Sequence, residues 1–441
     1  MSLLATVLDQ RDGKKSFCWR FGSSGMRHNG IMIAWIVVSI LSSLARLFLG
    51  PCDHPWWFGC SAGHRTHSSG PRGLPLIGNA LELRDKLWLF HRDCTVRSLF
   101  LTGTCSRAHN VLEDVMYLSA LGQPILVLNS LKAASELLDR RANIYSASGH
   151  PCLIMTQEII SGGLMFALLN HVDDRWRRSR RASYQALTKA AVREYHNVLR
   201  KEGVLLASAF LANPGALEKH FQRAAASAIM SILYDYPTLE TENDKNLKEI
   251  LAYAERTSRA TAPGAHLVEL FPWMLYIPER WKYEGNRDFT QFNTLFESLF
   301  NRVLRALSEG SERPSISASL FTGSDHNQLS RQEMAWFSGV AGAETTSTTM
   351  SWWALAMIAH PEVQKRAHIE LDTVVGRSRT PTSSDALPYI QAIVKEVLRW
   401  RPAIPFALPH FTMEDDWYNG MFIPKGTICL PNLFQFNRDP S

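Results

Sequence analysis

The hydrophobic and polar positions of residues 330–358 predict one long helix. Ser330, followed three residues later by Glu333, has the spacing of a capping box, and no proline interrupts the stretch before Pro361. Its middle is polar, because a carboxylate followed by hydroxyl side chains occupies 344–349. Such hydroxyls can bond to the carbonyl four residues earlier and bend a helix. A bent, polar window in an apolar helix indicates a candidate site.

Two other interpretations of 330–358 are open at this point. An apolar run of this length could span a membrane, although Glu344 at its centre would cost several kcal/mol there. It could equally be a core helix whose hydroxyls are satisfied and carry no chemistry. The pattern of this stretch alone does not separate these alternatives from a functional site.

Periodic apolar positions predict further helices on both sides. Apolar and charged residues alternate at helical spacing in 188–211, 216–234, 243–260 and 288–307. Pro361 and Gly376 have the positions expected at the beginning and the end of another helix, and Pro388 begins the next. These segments are typical of amphipathic packing helices.

A short β region precedes most of these helices. Residues 115–121 and 125–128 predict two strands around a turn at Gln123 and Pro124. Ser130 then caps a helix that is expected to run to about Asp139.

The N-terminal part of the chain has a different character. Residues 1–30 are polar and basic, whereas 31–49 are almost entirely apolar or small, which predicts a single transmembrane anchor. A secretory signal peptide and a buried helix are the alternatives for 31–49. Residues 50–79 then form a linker that ends in a hinge rich in proline and glycine. The basic residues ahead of the anchor favour a cytosolic N-terminus.

Composition restricts the class of protein. The chain has 441 residues, 46% of them hydrophobic, which is enough for a large core. Its 47 basic and 41 acidic residues nearly balance, so no nucleic-acid partner is inferred. The seven cysteines show neither a C-x-x-C pair nor a zinc spacing, which favours reduced thiols. We therefore expect a folded globular protein in a reducing compartment.

Three short motifs resemble the cytochrome P450 haem-thiolate monooxygenases. Residues 341–346, AGAETT, match the signature of the long helix that crosses the haem in that family, Glu396 and Arg399 match its E-x-x-R, and Trp176 and Arg180 match its W-x-x-x-R. They occur in the family's order and with similar spacing. The chain is most similar to fungal microsomal members of the O-methylsterigmatocystin oxidoreductase type. The resemblance implies a mainly α fold with small β-sheets, here over 80–441, and β elements within 404–430.

The resemblance also implies roles for particular residues. Thr345 and Glu344 would deliver protons, and Glu396 with Arg399 would be a structural pair. The implied haem contacts are Trp176, Arg180, His410, Ala341 and Gly342, and the implied substrate contacts are Phe337, Ile404 and Phe406. The expected activity is hydroxylation of an apolar small molecule with O2 and with electrons from NADPH-cytochrome P450 reductase. The microsomal members instead imply a single-pass anchor in the endoplasmic reticulum membrane with a lumenal N-terminus and a cytosolic catalytic domain, so the orientation stays open.

One part of the family pattern is missing from the sequence. Family members carry a loop F-x-x-G-x-R-x-C-x-G whose cysteine thiolate binds the haem iron, and these 441 residues contain no such motif. Cys429 lies in a strand pattern and is expected to be structural, so no metal ligand is predicted. We therefore expect a domain truncated before its ligand loop. The alternatives are an inactive fragment without haem, and a membrane scaffold with two spans.

Overall fold

The computed structural model describes most of the chain from 114 onward. The described residues are 78–79, 114–145, 153–170, 173–241, 243–261, 265–269, 271–277, 279–311, 313–323, 328–339 and 343–438. All of them belong to one compact unit, 66–441. The predicted tail, anchor, linker and most of the hinge in 1–79 lie outside the described residues.

The described fold is mainly helical. Its α-helices are α1 Leu131–Ala134, α2 Ala142–Tyr145, α3 Asp174–Ala186, α4 Lys189–Glu194, α5 His196–Ala212, α6 Leu217–Tyr234, α7 Lys245–Ala260, α8 Arg280–Ser308, α9 Ile316–Thr322, α10 Arg331–Gly339, α11 Ala343–Ala359, α12 Pro361–Val374, α13 Pro388–Trp400 and α14 Leu433–Phe436. The strands are β1 Val115–Ala120, β2 Gln123–Leu128, β3 His410–Phe411, β4 Asp416–Tyr418, β5 Met421–Ile423 and β6 Ile428–Pro431. Two π-helical turns, Ser135–Arg140 and Met155–Ile160, and short 3-10 turns complete the fold. The mainly α class with small sheets agrees with the prediction.

The larger sheet joins both ends of the described chain. Its strand order is β1-β2-β6-β3, with β2 and β6 parallel and the other pairs antiparallel. The predicted turn at Gln123 and Pro124 is wrong, because Ala120 pairs with Gln123 and both predicted turn residues lie in β2. The turn consists of Leu121 and Gly122, whose φ angles of 50° and 84° suit a tight hairpin. Strands β4 and β5 form a separate hairpin.

Local signals in the sequence account for several helix ends. The Ser130 hydroxyl accepts from Ala133 N at 3.1 Å, although α1 ends at Ala134 and continues as a π-helical turn. The capping box is confirmed, because Glu333 N donates to Ser330 Oγ at 3.2 Å and Ser330 N donates to Glu333 Oε2 at 2.7 Å. Gly376 has a φ of 74°, the left-handed conformation expected after a helix.

Two predicted helices have different bounds in the structure. Residues 188–211 form two helices, α4 and α5, because Tyr195 N bonds to Val192 O at 3.1 Å and tightens the turn between them. Helix α8 begins at Arg280, before the predicted start at 288. Glycine is a poor helix former, but it is required at position 285 because a Cβ there would lie 2.6 Å from Ile159 Cγ2.

The main core surrounds Trp336 of α10. Its indole is fully buried and donates to Asn293 Oδ1 of α8 at 2.9 Å. The rings of Phe296 and Tyr253 meet it edge to face, with centroids 5.0 Å and 6.2 Å away. These contacts fix α10 against α7 and α8, which positions the central helical region for the site described below.

The predicted helix 330–358 appears as α10 and α11. Residues 340–342 between them lie outside the described residues, and the predicted bend stays a prediction. In the part of the chain that the structure describes, no helix is both long enough and apolar enough to cross a membrane.

Candidate functional site

The side chains of the polar window lie at the start of α11. Ser347 Oγ donates to Glu344 O at 2.9 Å, and Thr349 Oγ1 donates to Thr345 O at 2.8 Å, as expected for hydroxyls within a helix. The side chains of Glu344 and Thr345 are largely exposed, whereas Ser347 is buried. Helix α11 packs on α6 and α7.

Glu344 has an environment that favours its neutral form. Partial burial and the nearby Glu255 of α7 raise its pKa above the ordinary value, while a hydrogen bond with the Ser258 side chain opposes that shift. This contact could not be predicted from sequence, because Glu255 and Ser258 are hydrophilic positions of an amphipathic helix that is distant in the chain. A proton held on Glu344 at higher pH than usual is what proton transfer requires.

Helix α3 carries the predicted propionate ligands. Its first turn is capped by Asp173, whose carboxylate accepts from Arg175 N at 2.7 Å. Arg178 ties it to the start of α10 through Gln328 O and Glu333. Trp176 is half-buried and Arg180 is exposed, and neither side chain bonds to any described residue. Two donors one helical turn apart are thus open to an anion.

His410 lies on β3, opposite Cys429 of β6. Its Nδ1 lies 3.1 Å from Tyr145 O, which fits a donated hydrogen bond and leaves Nε2 for another partner. Burial lowers the pKa of His410, and the bond to Tyr145 partly offsets that effect. The ring is therefore neutral at physiological pH.

The predicted haem contacts in the described ranges have side chains that can bind carboxylates, and the one described cysteine lies in the sheet. The Trp176 indole, the Arg180 guanidinium and the neutral His410 ring have the chemistry that binds carboxylates. Cys429, the cysteine among the described residues, is fully buried in the sheet, and its Sγ lies 4.0 Å from Thr427 O. Its side chain belongs to the core cluster around the sheet. Ala341 and Gly342, the other predicted haem contacts, lie outside the described residues.

The predicted structural pair is formed on α13. Arg399 Nε donates to Glu396 Oε2 at 2.8 Å and Nη2 donates to Oε1 at 2.6 Å, a forked pair. Arg399 Nη1 also donates to Asn437 O at 2.5 Å, which connects α13 to the segment after α14. The pair is half-exposed, and its geometry agrees with a scaffold role.

The three predicted substrate contacts lie in different surroundings. Phe337 is buried, and its ring stacks on Phe166 with centroids 4.8 Å apart. Phe406 packs on the sheet beside Phe411. Ile404, in contrast, is 47% exposed. No hydrogen bond or ring contact joins these three side chains to one another within the described ranges.

A cavity of about 300 Å³ lies elsewhere, between α11, α12 and α13. Its mostly apolar lining includes Met357, Ile393 and Trp400, together with Glu396 of the ion pair. Met357 lies thirteen residues beyond Glu344, or about 20 Å along a helix. This cavity is therefore distinct from the polar window.

The comparisons with known proteins agree on the class. The Cytochrome P450 family model matches residues 69–441. A cytochrome P450 monooxygenase of Armillaria gallica is 46% identical over 384 residues, covering 85% of this chain and 70% of the relative. Cytochrome P450 monooxygenase 58 of Postia placenta is 38% identical, with the same coverage. A solved zebrafish cytochrome P450, determined with progesterone, has a TM-score of 0.64, covers 79% of this chain and 80% of its own, and is 23% identical.

These results define a mainly helical protein of the haem monooxygenase class. The chain belongs to the cytochrome P450 family. It is an enzyme by family, and the family implies haem as its cofactor. Members of this family use O2, a substrate and a redox partner.

Proposed function

We propose that this protein hydroxylates an apolar small molecule with O2, using electrons that NADPH-cytochrome P450 reductase supplies. The observation that carries the proposal is the cytochrome P450 fold, in which the donors of Trp176, Arg180 and His410 would be available to the haem carboxylates. Haem, when bound, supplies the oxygen-activating chemistry. The residues of the chain supply binding, orientation and protons.

The haem carboxylates would bind at α3 and β3. Arg180 supplies the permanent positive charge and Trp176, one turn earlier, adds a neutral N–H, so a carboxylate can take both at once. His410 adds its Nε2–H as a neutral donor, because its Nδ1 is held by Tyr145. Ala341 and Gly342 would allow close approach at the junction of α10 and α11.

Protons would pass through the start of α11. Glu344 carries a proton on its carboxyl group at higher pH than an ordinary glutamate, and its exposure lets it exchange that proton with water. Thr345, the next residue, offers a hydroxyl that can donate and accept. The pair could transfer a proton from solvent to a bound ligand.

The substrate would lie against apolar side chains. Phe406 would offer an aromatic contact and the exposed Ile404 an aliphatic one, while Phe337, stacked on Phe166, would line the pocket from the core side. Such a lining favours an apolar fungal secondary metabolite or a xenobiotic. We further propose that 31–49 anchors the protein in the endoplasmic reticulum membrane, with the basic tail 1–30 before it, the linker and hinge 50–79 after it, and the catalytic domain 80–441 in the cytosol.

A second function is an inactive relative without the thiolate ligand. Its support is that the thiol of Cys429 is buried in the sheet, and that the F-x-x-G-x-R-x-C-x-G pattern is not found in these 441 residues. A protein of this kind would have the cytochrome P450 fold without monooxygenation.

Haem titration of the purified chain separates the two proposals. We expect a Soret band on haem addition, and a thiolate-type carbon monoxide difference spectrum if the enzyme is active. Arg180→Ala should weaken haem binding by about tenfold, the effect of one charged hydrogen bond. Arg181→Ala, which removes the exposed neighbouring arginine, is the matched control and should change little. Absence of haem uptake by the unaltered chain would support the inactive relative.

A further inference from the structure

Glu269 is a buried carboxylate that joins two distant segments. It ends the 3-10 turn Leu267–Glu269 in the connection between α7 and α8, and it is 8% exposed. Its Oε2 accepts from Ile154 N at 3.0 Å, and its Oε1 accepts from Met155 N at 3.1 Å. Both carboxylate oxygens are thus bound to one backbone segment more than a hundred residues earlier.

These two amides lie at the start of the π-helical turn Met155–Ile160. The first N–H groups of a helical turn have no partner within the turn, and Ile154 offers no side-chain cap. Glu269 replaces that cap from another part of the chain. The N–H groups of Ile154 and Met155 therefore keep these hydrogen bonds only while the connection between α7 and α8 lies against the turn.

The same segment leads to the candidate site. Met155 and Ile159 pack on Gly285 of α8, where a Cβ would lie 2.9 Å and 2.6 Å from their side chains. A few residues further on, Phe166 stacks on Phe337 of α10. The position of the 153–160 segment therefore bears on the position of Phe166 beside the central helix.

No cationic side chain in the described ranges is bonded to this carboxylate. The surrounding elements carry His266 in the connection, Arg256 on α7, Asp288 on α8 and Glu158 in the turn itself. Arg256 is paired with Asp288 at 2.6 Å, and Glu158 is exposed. Burial therefore dominates over the two backbone hydrogen bonds and raises the pKa of Glu269 to about 7.

We propose that Glu269 is a positioning residue that holds the 153–160 segment against the α7–α8 connection, and that it holds the segment more firmly when its carboxyl group is neutral. When the segments separate, the carboxyl group becomes hydrated and is more readily ionised. The closed form therefore binds the proton more tightly, and closure strengthens as pH falls. The coupling between the two segments does not depend on the proposed function.

Hydrogen exchange in the full chain tests this proposal without any cofactor. Protection factors for 153–160 are corrected for the intrinsic effect of pH on exchange. They should rise about tenfold from pH 8 to pH 6 if the pKa of Glu269 is about 7 when the segments are in contact and has its ordinary value when they separate. Glu269→Gln, which keeps the shape and cannot ionise, should remove this pH step. Glu269→Ala should lower protection about tenfold or more at pH 6.

Glu370 provides a matched control. It accepts from Tyr389 N at 2.8 Å and Ile390 N at 3.0 Å, the same pair of backbone bonds at the start of α13. Glu370→Gln should leave 153–160 and its pH step unchanged. A step that persists in Glu269→Gln, or unchanged protection in Glu269→Ala, would overturn the proposal. If Glu269→Ala does not fold, the Glu269→Gln variant decides the outcome. If the unaltered chain shows the pH-dependent rise in protection but takes up no haem, only the proposed function is refuted.

Discussion

The two halves of the central helical region differ in how they are packed. In α10, Trp336 is fully buried among aromatic rings of α7 and α8. In α11, Trp353 is 42% and Ile358 is 68% exposed, although this half is just as apolar in sequence. The first half thus contributes mainly to stability. The second half leaves large side chains open for contacts with other groups, which is the property that a binding region needs.

The largest expected effect is the difference in stability lost when the tryptophan of each half is replaced by alanine. Trp336→Ala should destabilise the fold by about 3–5 kcal/mol, because it leaves a cavity and removes the indole bond to Asn293. Trp353→Ala, the matched control in the open half, should cost less than about 1 kcal/mol. Urea unfolding of both variants gives the comparison. Equal losses would contradict the assignment of stability to α10.

A comparison of two ion pairs extends the same contrast between packed and open regions. Glu202 and Arg223 join α5 to α6, with both side chains 5% exposed, whereas Glu396 and Arg399 are about half-exposed. Arg223→Met leaves the Glu202 charge buried and should cost about 3–5 kcal/mol. Arg399→Met should cost about 1 kcal/mol or less. The midpoints of denaturant unfolding measure both, and a larger loss for Arg399 would reverse the ranking.

A smaller effect is expected at the helical glycines. Gly285→Ala would force a Cβ against Ile159 and should cost about 1–3 kcal/mol by overpacking. Gly203→Ala in α5 meets nothing within 4 Å and should stabilise by about 0.5–1 kcal/mol. Thermal unfolding of the two variants distinguishes close packing from helix propensity. A destabilised Gly203→Ala would contradict the open environment assigned to it.

The smallest expected effect concerns the proton on Glu344. Its pKa is raised, so any stability it contributes is present below its ordinary value and lost as pH rises through the raised one. Glu255→Gln removes the neighbouring negative charge and should lower the pKa of Glu344. Titration of the carboxyl carbon by NMR in both proteins measures the change. An unchanged pKa would show that burial alone causes the shift.

Local chemistry made much of the fold predictable from sequence. The capping box at Ser330, the cap at Ser130 and the glycine at 376 depend on neighbours within a few residues, and the structure has all three. The hairpin turn was misplaced because Pro124 suggested a turn. In the structure Pro124 lies in β2 opposite Ser119, a position where the strand pairing accepts a residue that has no N–H. The start of α8 was missed because Gly285 is required by tertiary packing.

Only those residues of the candidate site that belong to short sequence motifs were predictable. Trp176, Arg180 and the Glu396–Arg399 pair follow from spacing on a helix, and the structure places each on one. The contact of Glu344 with Ser258 and the bonds of Glu269 to 154–155 join residues far apart in sequence. No periodicity encodes such contacts, because they depend on how α7 and its connection to α8 pack in three dimensions.

Hydrogen exchange with and without added haem tests the central claim most directly. If the donors of α3 and β3 and the start of α11 surround the cofactor, haem should slow exchange at all three, around Trp176–Arg180, His410 and Glu344–Thr345, and leave the exposed end of α12 unchanged. Haem that binds without slowing exchange at these three places would contradict the account.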